Sequence, residues 1–204
     1  MKLYAISDSV LTPTHTIESQ LKKAILGGIS LFQLRDKISS DDEILPLCET
    51  LGRICNENKV DFIINDRINL ALNLQNRNVP CGLHLGRDDE RIDFKILRGK
   101  FKGTLGISCY GDISRALSYE KMGADYVAFG SIFKSETKKD SAVIGSAILK
   151  EAKKRLKSVK ICAIGGINAS NIALLENVDM VAMIRAIWYG DISQNLAKIN
   201  KEIH

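Results

Sequence analysis

Polar and apolar side chains alternate along residues 32–37, FQLRDK. If this segment is a β-strand, Gln33, Arg35 and Lys37 lie on one face, because strand side chains alternate with a period of two. An unpaired charge on an enclosed face costs several kcal/mol, so an amide beside two cations indicates a site for an anion. An edge strand with one face in water would show the same alternation, and this segment alone leaves both interpretations open.

Two segments that bear carboxylates follow neighbouring predicted strands. Asn65 and Asp66 end the segment DFIIND, and Asp88 and Asp89 follow the segment HLG. Simpler roles exist for both pairs, because an aspartate can cap a following helix or sit in a solvated turn. Carboxylates on adjacent loops can also hold Mg²⁺, which takes its other ligands from water and phosphate oxygens. Together with the cations of 32–37, they predict a diphosphate site.

A second anion site is predicted from the last third of the chain. Gly165 and Gly166 end the segment ICAIGG, and Ile184 and Arg185 end the next apolar segment. Glycine lets backbone N–H groups approach a phosphate closely, although a tight turn also needs it. The loop 134–141, KSETKKDS, adds hydroxyls and cations, although a loop of this composition is often only solvated.

Short apolar segments alternate with amphipathic ones along the chain. Strands are predicted at 2–8, 31–37, 61–66, 81–86, 104–110, 126–133, 161–167 and 180–187. Helices are predicted at 17–26, from 41 or 42 to 56, from the third strand to 74, and at 92–97, 112–122, 145–156, 170–176 and 191–203. Eight such units in 204 residues predict a single (β/α)8 TIM barrel over 1–204. A doubly wound open sheet is the alternative.

A barrel would bring the polar segments to one end. Active sites in this fold lie at the carboxyl ends of the strands, and the loops after the seventh and eighth strands commonly bind phosphate. The sequence therefore predicts two anion sites over one mouth, one of them with a metal. That arrangement suits an enzyme that joins a diphosphate substrate to a monophosphate substrate.

Composition narrows the class of protein. The net charge of +5 is mild and the basic residues are dispersed, so nucleic acid is not an expected partner. No apolar segment approaches the ~20 residues of a membrane helix, and the start MKLYAISD turns polar too soon for a signal peptide. Five cysteines without a CxxC pair indicate reduced, mostly buried thiols in a cytoplasmic protein. Three scattered histidines disfavour a histidine-based metal site, and a homodimer is left open.

The motifs together resemble those of the thiamine-phosphate synthase family over nearly the whole chain. FQLRDK resembles the family's Q-x-R-x-K strand, FIINDR its I-N-D-R segment and HLGRDD its H-L-G-Q-x-D segment. GISCY resembles its G-V-S, and GADYVAFGSIFKSETKKD resembles its GADY-x-x-x-G-x-x-F-x-T-x-TK segment. AIGGI is the same in both. Each motif alone is weak, but their common order and spacing are specific.

The resemblance implies a transferase of thiamine biosynthesis. It would condense 4-amino-5-hydroxymethyl-2-methylpyrimidine diphosphate with 4-methyl-5-(2-hydroxyethyl)thiazole phosphate, giving thiamine monophosphate and pyrophosphate. In this family the diphosphate leaves first, and the thiazole nitrogen traps the resulting pyrimidine-stabilised cation. Such chemistry needs charge neutralisation on the leaving group and close positioning of two reactants, rather than an acid, a base or a nucleophile.

The resemblance also implies roles for individual residues. The pyrimidine diphosphate would be bound by Gln33, Leu34, Arg35, Asp36, Lys37, Asn65, Ser108 and Lys138. The catalytic residues among these would be Arg35, Lys37, Ser108 and Lys138. The thiazole phosphate would be bound by Ser135, Glu136, Thr137, Gly166, Ile184 and Arg185. Mg²⁺ would be the cofactor, held by Asp66 and Asp89.

The sequence departs from the family pattern in four places. Arg185 stands where the family usually has serine, and its guanidinium could add a phosphate contact or crowd the site. Ser135 replaces the usual threonine, and Arg87 the usual glutamine. The segment 73–80 resembles a small insertion. None of these changes removes a predicted metal ligand or a predicted diphosphate cation.

Three other functions are weighed against this one. A related thiazole tautomerase would have its catalytic histidine at the position of Ser108 and commonly lacks the Asn65–Asp66 pair. A non-catalytic regulator that binds thiamine precursors would not need two metal-binding carboxylates. A phosphate-binding barrel isomerase of amino-acid biosynthesis would need an acid and a base, and Cys109 should point away from the barrel interior by alternation.

Overall fold

Eight parallel strands close into a barrel in the computed structural model, which describes residues 1–86, 93–135 and 142–203. Each strand pairs with the next, and β8 pairs with β1. The strands are β1 Lys2–Ile6, β2 Leu31–Leu34, β3 Asp61–Asn65, β4 Gly82–Leu85, β5 Leu105–Tyr110, β6 Tyr126–Phe129, β7 Lys160–Ile164 and β8 Met180–Met183. The predicted (β/α)8 TIM barrel is therefore confirmed, and the open sheet is not formed.

Helices follow the strands and cover the outside of the barrel. They are α1 Ile17–Leu26, α2 Asp41–Glu57, α3 Ile68–Asn76, α4 Phe94–Lys100, α5 Ile113–Met122, α6 Ala147–Arg155, α7 Arg185–Trp188 and α8 Ile192–Lys201. Local chemistry sets their starts: Ser40 and Glu43 form a capping box at α2, with the Glu43 N–H donating to Ser40 Oγ at 3.3 Å. The Asp112 carboxylate likewise accepts the Arg115 N–H at the start of α5.

The period-two pattern sorts the strand residues into an inner and an outer set. On β1, Tyr4 and Ile6 belong to the cluster inside the barrel, whereas Leu3 and Ala5 pack against the surrounding helices. Cys109 belongs to the outer cluster, as alternation predicts, so it does not face the barrel interior. The interior is thus filled by side chains in layers, as in other barrels of this size.

Several predicted elements are longer than the observed ones, and three of these differences bear on the site. Strand β2 ends at Leu34 rather than at residue 37, and β8 ends at Met183, so Arg185 begins the short helix α7. The helix predicted at 170–176 is only a 3₁₀ turn, Ile172–Leu174. Its sequence explains this, because the Asn168 carboxamide oxygen accepts the Ser170 N–H, and such local bonds compete with helix formation.

The cysteines are free thiols, as predicted. Cys48, Cys55, Cys109 and Cys162 are buried, and Cys81 is half-buried. Burial raises the pKa of each thiol to about 12, so all five stay protonated at neutral pH. Across 1–86, 93–135 and 142–203, none of the helices has the length and apolar character needed to cross a membrane.

Candidate active site

Four consecutive strands each contribute a polar side chain near the carboxyl end of the barrel. They are Gln33 on β2, Asn65 on β3, His84 on β4 and Ser108 on β5. Gln33, Asn65 and His84 are only 2%, 8% and 9% exposed. Buried polar groups require hydrogen-bonding partners, so this row is an organised feature of the barrel rather than a solvated surface.

A chain of hydrogen bonds joins three members of this row through the barrel interior. Gln33 Nε2 donates to the Tyr4 hydroxyl at 2.6 Å, and the hydroxyls of Tyr4 and Tyr126 lie 2.8 Å apart. The Tyr126 hydroxyl lies 2.8 Å from His84 Nδ1, and His84 Nε2 lies 2.9 Å from Ser108 Oγ. Burial raises the pKa of both tyrosines above the usual 10, so both hydroxyls stay protonated.

Sequence reasoning did not identify Tyr4, Tyr126 or His84 as site residues. A signal was present, because period-two alternation places His84 on the same face of β4 as Gly82 and Tyr126 on the same face of β6 as Ala128. An aromatic residue in an apolar strand nevertheless resembles ordinary core in the sequence, and only the closed barrel brings the two hydroxyls together.

Lys37 and Asp66 meet at the mouth. Lys37 Nζ lies 3.6 Å from Asp66 Oδ2, and the two side chains are 53% and 32% exposed. The Asp66 backbone adopts a left-handed conformation, with φ of 63°, and its N–H donates to the His84 carbonyl at 2.8 Å. Asp66 does not cap α3, whose N-cap is Arg67, so its carboxylate is directed to the mouth instead.

Arg35 and Lys37 lie in the loop after β2. The prediction that they share a strand face with Gln33 is therefore wrong. The change occurs because the Arg35 N–H donates to Ser7 Oγ at 2.8 Å instead of to a neighbouring strand. Both cations still follow the carboxyl end of β2, and the contact of Lys37 with Asp66 places one of them at the mouth.

The carboxylate of Asp36 organises that loop. It accepts the N–H groups of Ile38 and Ser39, both at 2.8 Å, and lies 3.4 Å from the Arg67 guanidinium. Burial by itself raises the pKa of this carboxyl, but the two N–H donors, the Ser39 hydroxyl and the Arg67 guanidinium together outweigh it and leave the pKa below the usual 3.8. Arg67 also donates to Asp41 at 2.7 Å, which ties the start of α2 to the end of β3.

A cavity of about 510 Å³ opens over the ends of β5 to β8. Its lining includes five of the predicted site residues: Ser108, Ser135, Gly166, Ile184 and Arg185. Ser108 therefore belongs both to the cavity wall and to the buried hydrogen-bond chain.

Glycines shape the floor of this cavity. Gly165 and Gly166 have φ of 102° and 65°, which L-residues with side chains rarely adopt. A Cβ on Gly166 would also meet the Phe133 carbonyl at 2.8 Å and collide with the Lys134 backbone. The Phe133 N–H donates to the Gly165 carbonyl at 3.0 Å, so the loop after β6 packs directly on the end of β7. Close backbone approach of this kind suits a phosphate site.

Arg185 stacks on an aromatic ring at the rim of the cavity. Its guanidinium carbon lies 3.8 Å from the centre of the Tyr189 ring, and both residues line the cavity. This cation–π contact holds the guanidinium against a side chain of its own helical segment. Tyr189 was not predicted from the sequence, although it is four residues after Arg185 and such pairs share one helix face.

Four predicted site residues, Asp89, Glu136, Thr137 and Lys138, lie outside the described residues. Within the described ranges, no group of three or more His, Cys, Asp and Glu side chains is arranged to hold a metal ion. Asp66 nevertheless fits Mg²⁺ by donor type, because it offers partly exposed carboxylate oxygens at the mouth. A Cβ on Gly86 would come within 3.5 Å of Asp66 Oδ1, so this carboxylate faces the segment that leads to Asp89.

The chain is similar to known proteins over most of its length. Residues 3–187 match the model of the family described as Thiamine monophosphate synthase. A Thiamine-phosphate synthase of Wolinella succinogenes is 46% identical over 195 residues, which cover 94% of this chain and 87% of that relative. One of Nitrosococcus oceani is 42% identical over 83% of this chain and 76% of its own. The solved thiamine phosphate pyrophosphorylase from Pyrococcus furiosus superposes with a TM-score of 0.83 at 29% identity, covering 98% of this chain and 94% of its own.

Proposed function

Because the chain belongs to the thiamine monophosphate synthase family, we propose that it condenses the pyrimidine diphosphate with the thiazole monophosphate. The products are thiamine monophosphate and pyrophosphate, and the protein is a transferase of thiamine biosynthesis. One structural observation supports this proposal in addition to family membership. The ion pair of Lys37 with Asp66 lies on one side of the barrel mouth, and the cavity with Gly165 and Gly166 at its floor lies on the other side.

The first half is suited to the diphosphate. Lys37 is at the mouth beside Asp66, and Arg35 lies two residues before it in the same loop. Lysine and arginine stabilise the negative charge that develops on a departing pyrophosphate. Lys138 completes this set by the family pattern, whereas the Asp36 carboxylate is used within the loop and contributes by holding the cations in position.

The second half is suited to the thiazole phosphate. Gly166, Ile184 and Arg185 line the cavity together with Ser135. N–H groups of glycine-rich backbone bind a phosphate without requiring a side-chain charge. A cavity of about 510 Å³ falls in the range that holds a small organic molecule, so the thiazole ring can lie within it.

Asp66 and Asp89 would hold Mg²⁺, whose positive charge supports departure of the pyrophosphate. The protein's own residues neutralise charge and position the substrates. The cations of the β2 loop neutralise the leaving group, and Ser108 lies beside the pyrimidine ring. The cavity fixes the thiazole nitrogen close to the carbon from which the pyrophosphate departs, and such positioning supplies much of the rate acceleration.

The finer assignments belong to this proposal as well. We infer a cytoplasmic enzyme, because its thiols are free and buried and stay protonated at neutral pH. Its partners are phosphorylated small molecules and Mg²⁺. A homodimer stays a prediction, which analytical ultracentrifugation of the purified protein tests.

The test is an incubation of purified protein with both substrates, with and without Mg²⁺. We expect thiamine monophosphate and pyrophosphate to form in equal amounts, only when both substrates and the metal are present. Each substrate omitted in turn is the control. No product in the complete mixture, with the thiazole phosphate still bound, would contradict the proposal and favour a tautomerase or a regulator.

A further inference from the structure

The buried hydrogen-bond chain from Gln33 to Ser108 crosses the barrel inside its wall. Its intermediate members come from three strands, of which no two are neighbours in the barrel: Tyr4 on β1, Tyr126 on β6 and His84 on β4. Every link is between 2.6 and 2.9 Å, within the normal range for a hydrogen bond. The chain therefore connects one predicted substrate-binding residue to another through groups that have no role in the proposed reaction.

The rings of this chain are held by packing as well as by hydrogen bonds. The Tyr126 ring stacks on His84 with centroids 5.5 Å apart and meets Tyr4 edge-on at 5.9 Å. Any Cβ at Gly106 would collide with the Tyr126 ring, so glycine is what allows the ring to lie there. Loss of one hydroxyl would thus leave the rings in place while interrupting the chain.

The amide donor at the Gln33 end favours one direction for the hydrogen-bond chain. Gln33 Nε2 can only donate, so the Tyr4 oxygen accepts there. The heavy-atom distances at the next two links fit either donor, and the direction in which every hydroxyl donates within the chain has Tyr4 donating to Tyr126 and Tyr126 donating to His84 Nδ1. An imidazole that accepts at Nδ1 bears its hydrogen on Nε2, and that nitrogen faces Ser108.

In this direction Ser108 is the last acceptor of the hydrogen-bond chain. Its oxygen then accepts from His84 Nε2, 2.9 Å away, which leaves the serine's own hydrogen to be donated elsewhere. Ser108 also lines the cavity, so the cavity is where an acceptor can meet that hydrogen. A chain of the opposite direction would make Ser108 donate to His84 and present only an acceptor to the substrate.

We propose that Tyr4, Tyr126 and His84 are positioning residues, which orient the Ser108 hydroxyl as a hydrogen-bond donor to the substrate in the cavity. The acceptor is a ring nitrogen of the pyrimidine, which must reach the cavity because its reacting carbon meets the nitrogen of the thiazole bound there; this assignment rests on the proposed function. The role is specificity: an aromatic ring with a nitrogen acceptor at that position binds, and one with a C–H there does not.

A double-mutant cycle tests the role of the hydrogen-bond chain from Gln33 to Ser108. We expect Tyr126→Phe to lower kcat/KM for the pyrimidine diphosphate by about tenfold in the wild-type background. In a Ser108→Ala background the same change should lower kcat/KM by less than about twofold, because residues that act through one another are not additive. Equal losses in both backgrounds would overturn the proposal, because Tyr126 would then act independently of Ser108.

Tyr119→Phe is the matched control. Tyr119 lies on α5 and its ring packs on Phe94 of α4, so its hydroxyl is not part of the hydrogen-bond chain from Gln33 to Ser108. We expect kcat/KM within about twofold of wild type for this variant. A loss as large as that of Tyr126→Phe would also overturn the proposal, because removal of any tyrosine hydroxyl would then have the same effect.

The direction of the hydrogen-bond chain is tested on the wild-type protein in the absence of substrate. ¹⁵N NMR of the imidazole nitrogens of wild-type protein should show His84 with its hydrogen on Nε2 and none on Nδ1. The opposite tautomer would overturn the proposal. Wild-type protein that makes no thiamine monophosphate would refute the proposed function instead, and the tautomer would then decide the direction by itself.

Discussion

The guanidinium carbon of Arg185 lies 3.8 Å from the centre of the Tyr189 ring, at the rim of the cavity that we assign to the thiazole phosphate. Serine stands at this position in the family pattern that the sequence resembles. The contact explains how the protein tolerates a long cation there, because the ring holds the guanidinium while Ile184 and Arg185 still line the cavity.

Arg185→Ser should therefore leave an active enzyme. We expect the KM for the thiazole phosphate to rise by less than about tenfold, because backbone N–H groups supply the main phosphate contact. Steady-state kinetics with varied thiazole phosphate measures this, with Arg53→Ser on the exposed face of α2 as the control. Complete loss of activity would show that the guanidinium has become essential to the site.

Gly166→Ala should damage both stability and phosphate binding. A Cβ there has no space against the Phe133 carbonyl, and the φ of 65° is unfavourable for alanine. We expect a loss of at least about 1 kcal/mol in the free energy of unfolding, together with weaker binding of thiazole phosphate.

Denaturant unfolding and calorimetric titration measure the two effects of that change. Gly99→Ala on α4 is the matched control, because nothing lies within 4 Å of a Cβ there and alanine is the better helix former. Wild-type stability and phosphate affinity in Gly166→Ala would contradict the role given to this glycine.

The barrel itself was predictable because its signals are local. Period-two strands and amphipathic helices repeat at nearly regular spacing, and alternation placed Cys109 outside and Gln33 inside as the structure has them. The end of β2 was not predictable, because the alternation in FQLRDK continues past the strand. What ends it is the bond from the Arg35 N–H to Ser7, a residue distant in sequence.

The candidate site was predictable to the extent that single motifs mark it. Ser135, Gly166 and Arg185 do line one cavity, and Lys37 does lie beside Asp66. The connection from Gln33 to Ser108 was not predictable, since it depends on two tyrosines from β1 and β6 whose hydroxyls meet only across the closed barrel. The stacking of Arg185 on Tyr189 likewise depends on the end of β8 at Met183, which places Arg185 in a helix.

Asp66→Ala should abolish the Mg²⁺-dependent reaction. Its carboxylate is partly exposed at the mouth and faces the segment that leads to Asp89. A metal contributes several kcal/mol to charge stabilisation in the transition state, so we expect turnover to fall at least about 100-fold. Turnover is measured across a range of Mg²⁺ concentrations, with Asp61→Ala at the opposite end of β3 as the control. Full activity at the wild-type Mg²⁺ requirement would remove Asp66 from the metal site.

Asp36→Asn should destabilise the protein relative to wild type, and this destabilisation should be larger at neutral pH than at acid pH. Burial raises the pKa of Asp36, but the hydrogen bonds from Ile38 and Ser39 and the charge of Arg67 together outweigh it and lower the pKa below 3.8. A lowered folded-state pKa stabilises the fold above the unfolded-state pKa, and this stabilisation is lost as the pH falls through the folded-state pKa.

Thermal unfolding at pH 7 and pH 3 measures that difference. We expect Tm to fall by about 1–4 °C at pH 7, a modest effect because the side chain is partly solvated, and the gap to narrow at about pH 3. Glu151→Gln on the exposed face of α6 is the control. A gap of equal size at both pH values would show that the charge of Asp36 does not stabilise the loop.

The most direct test of the two-anion mouth is a crystal structure of the protein with thiamine monophosphate, pyrophosphate and Mg²⁺ bound. The account predicts pyrophosphate at Arg35 and Lys37, with the metal on Asp66, and the thiamine phosphate group on the backbone of Gly166. Both phosphate groups in the cavity over β5 to β8, or pyrophosphate remote from Lys37, would contradict it.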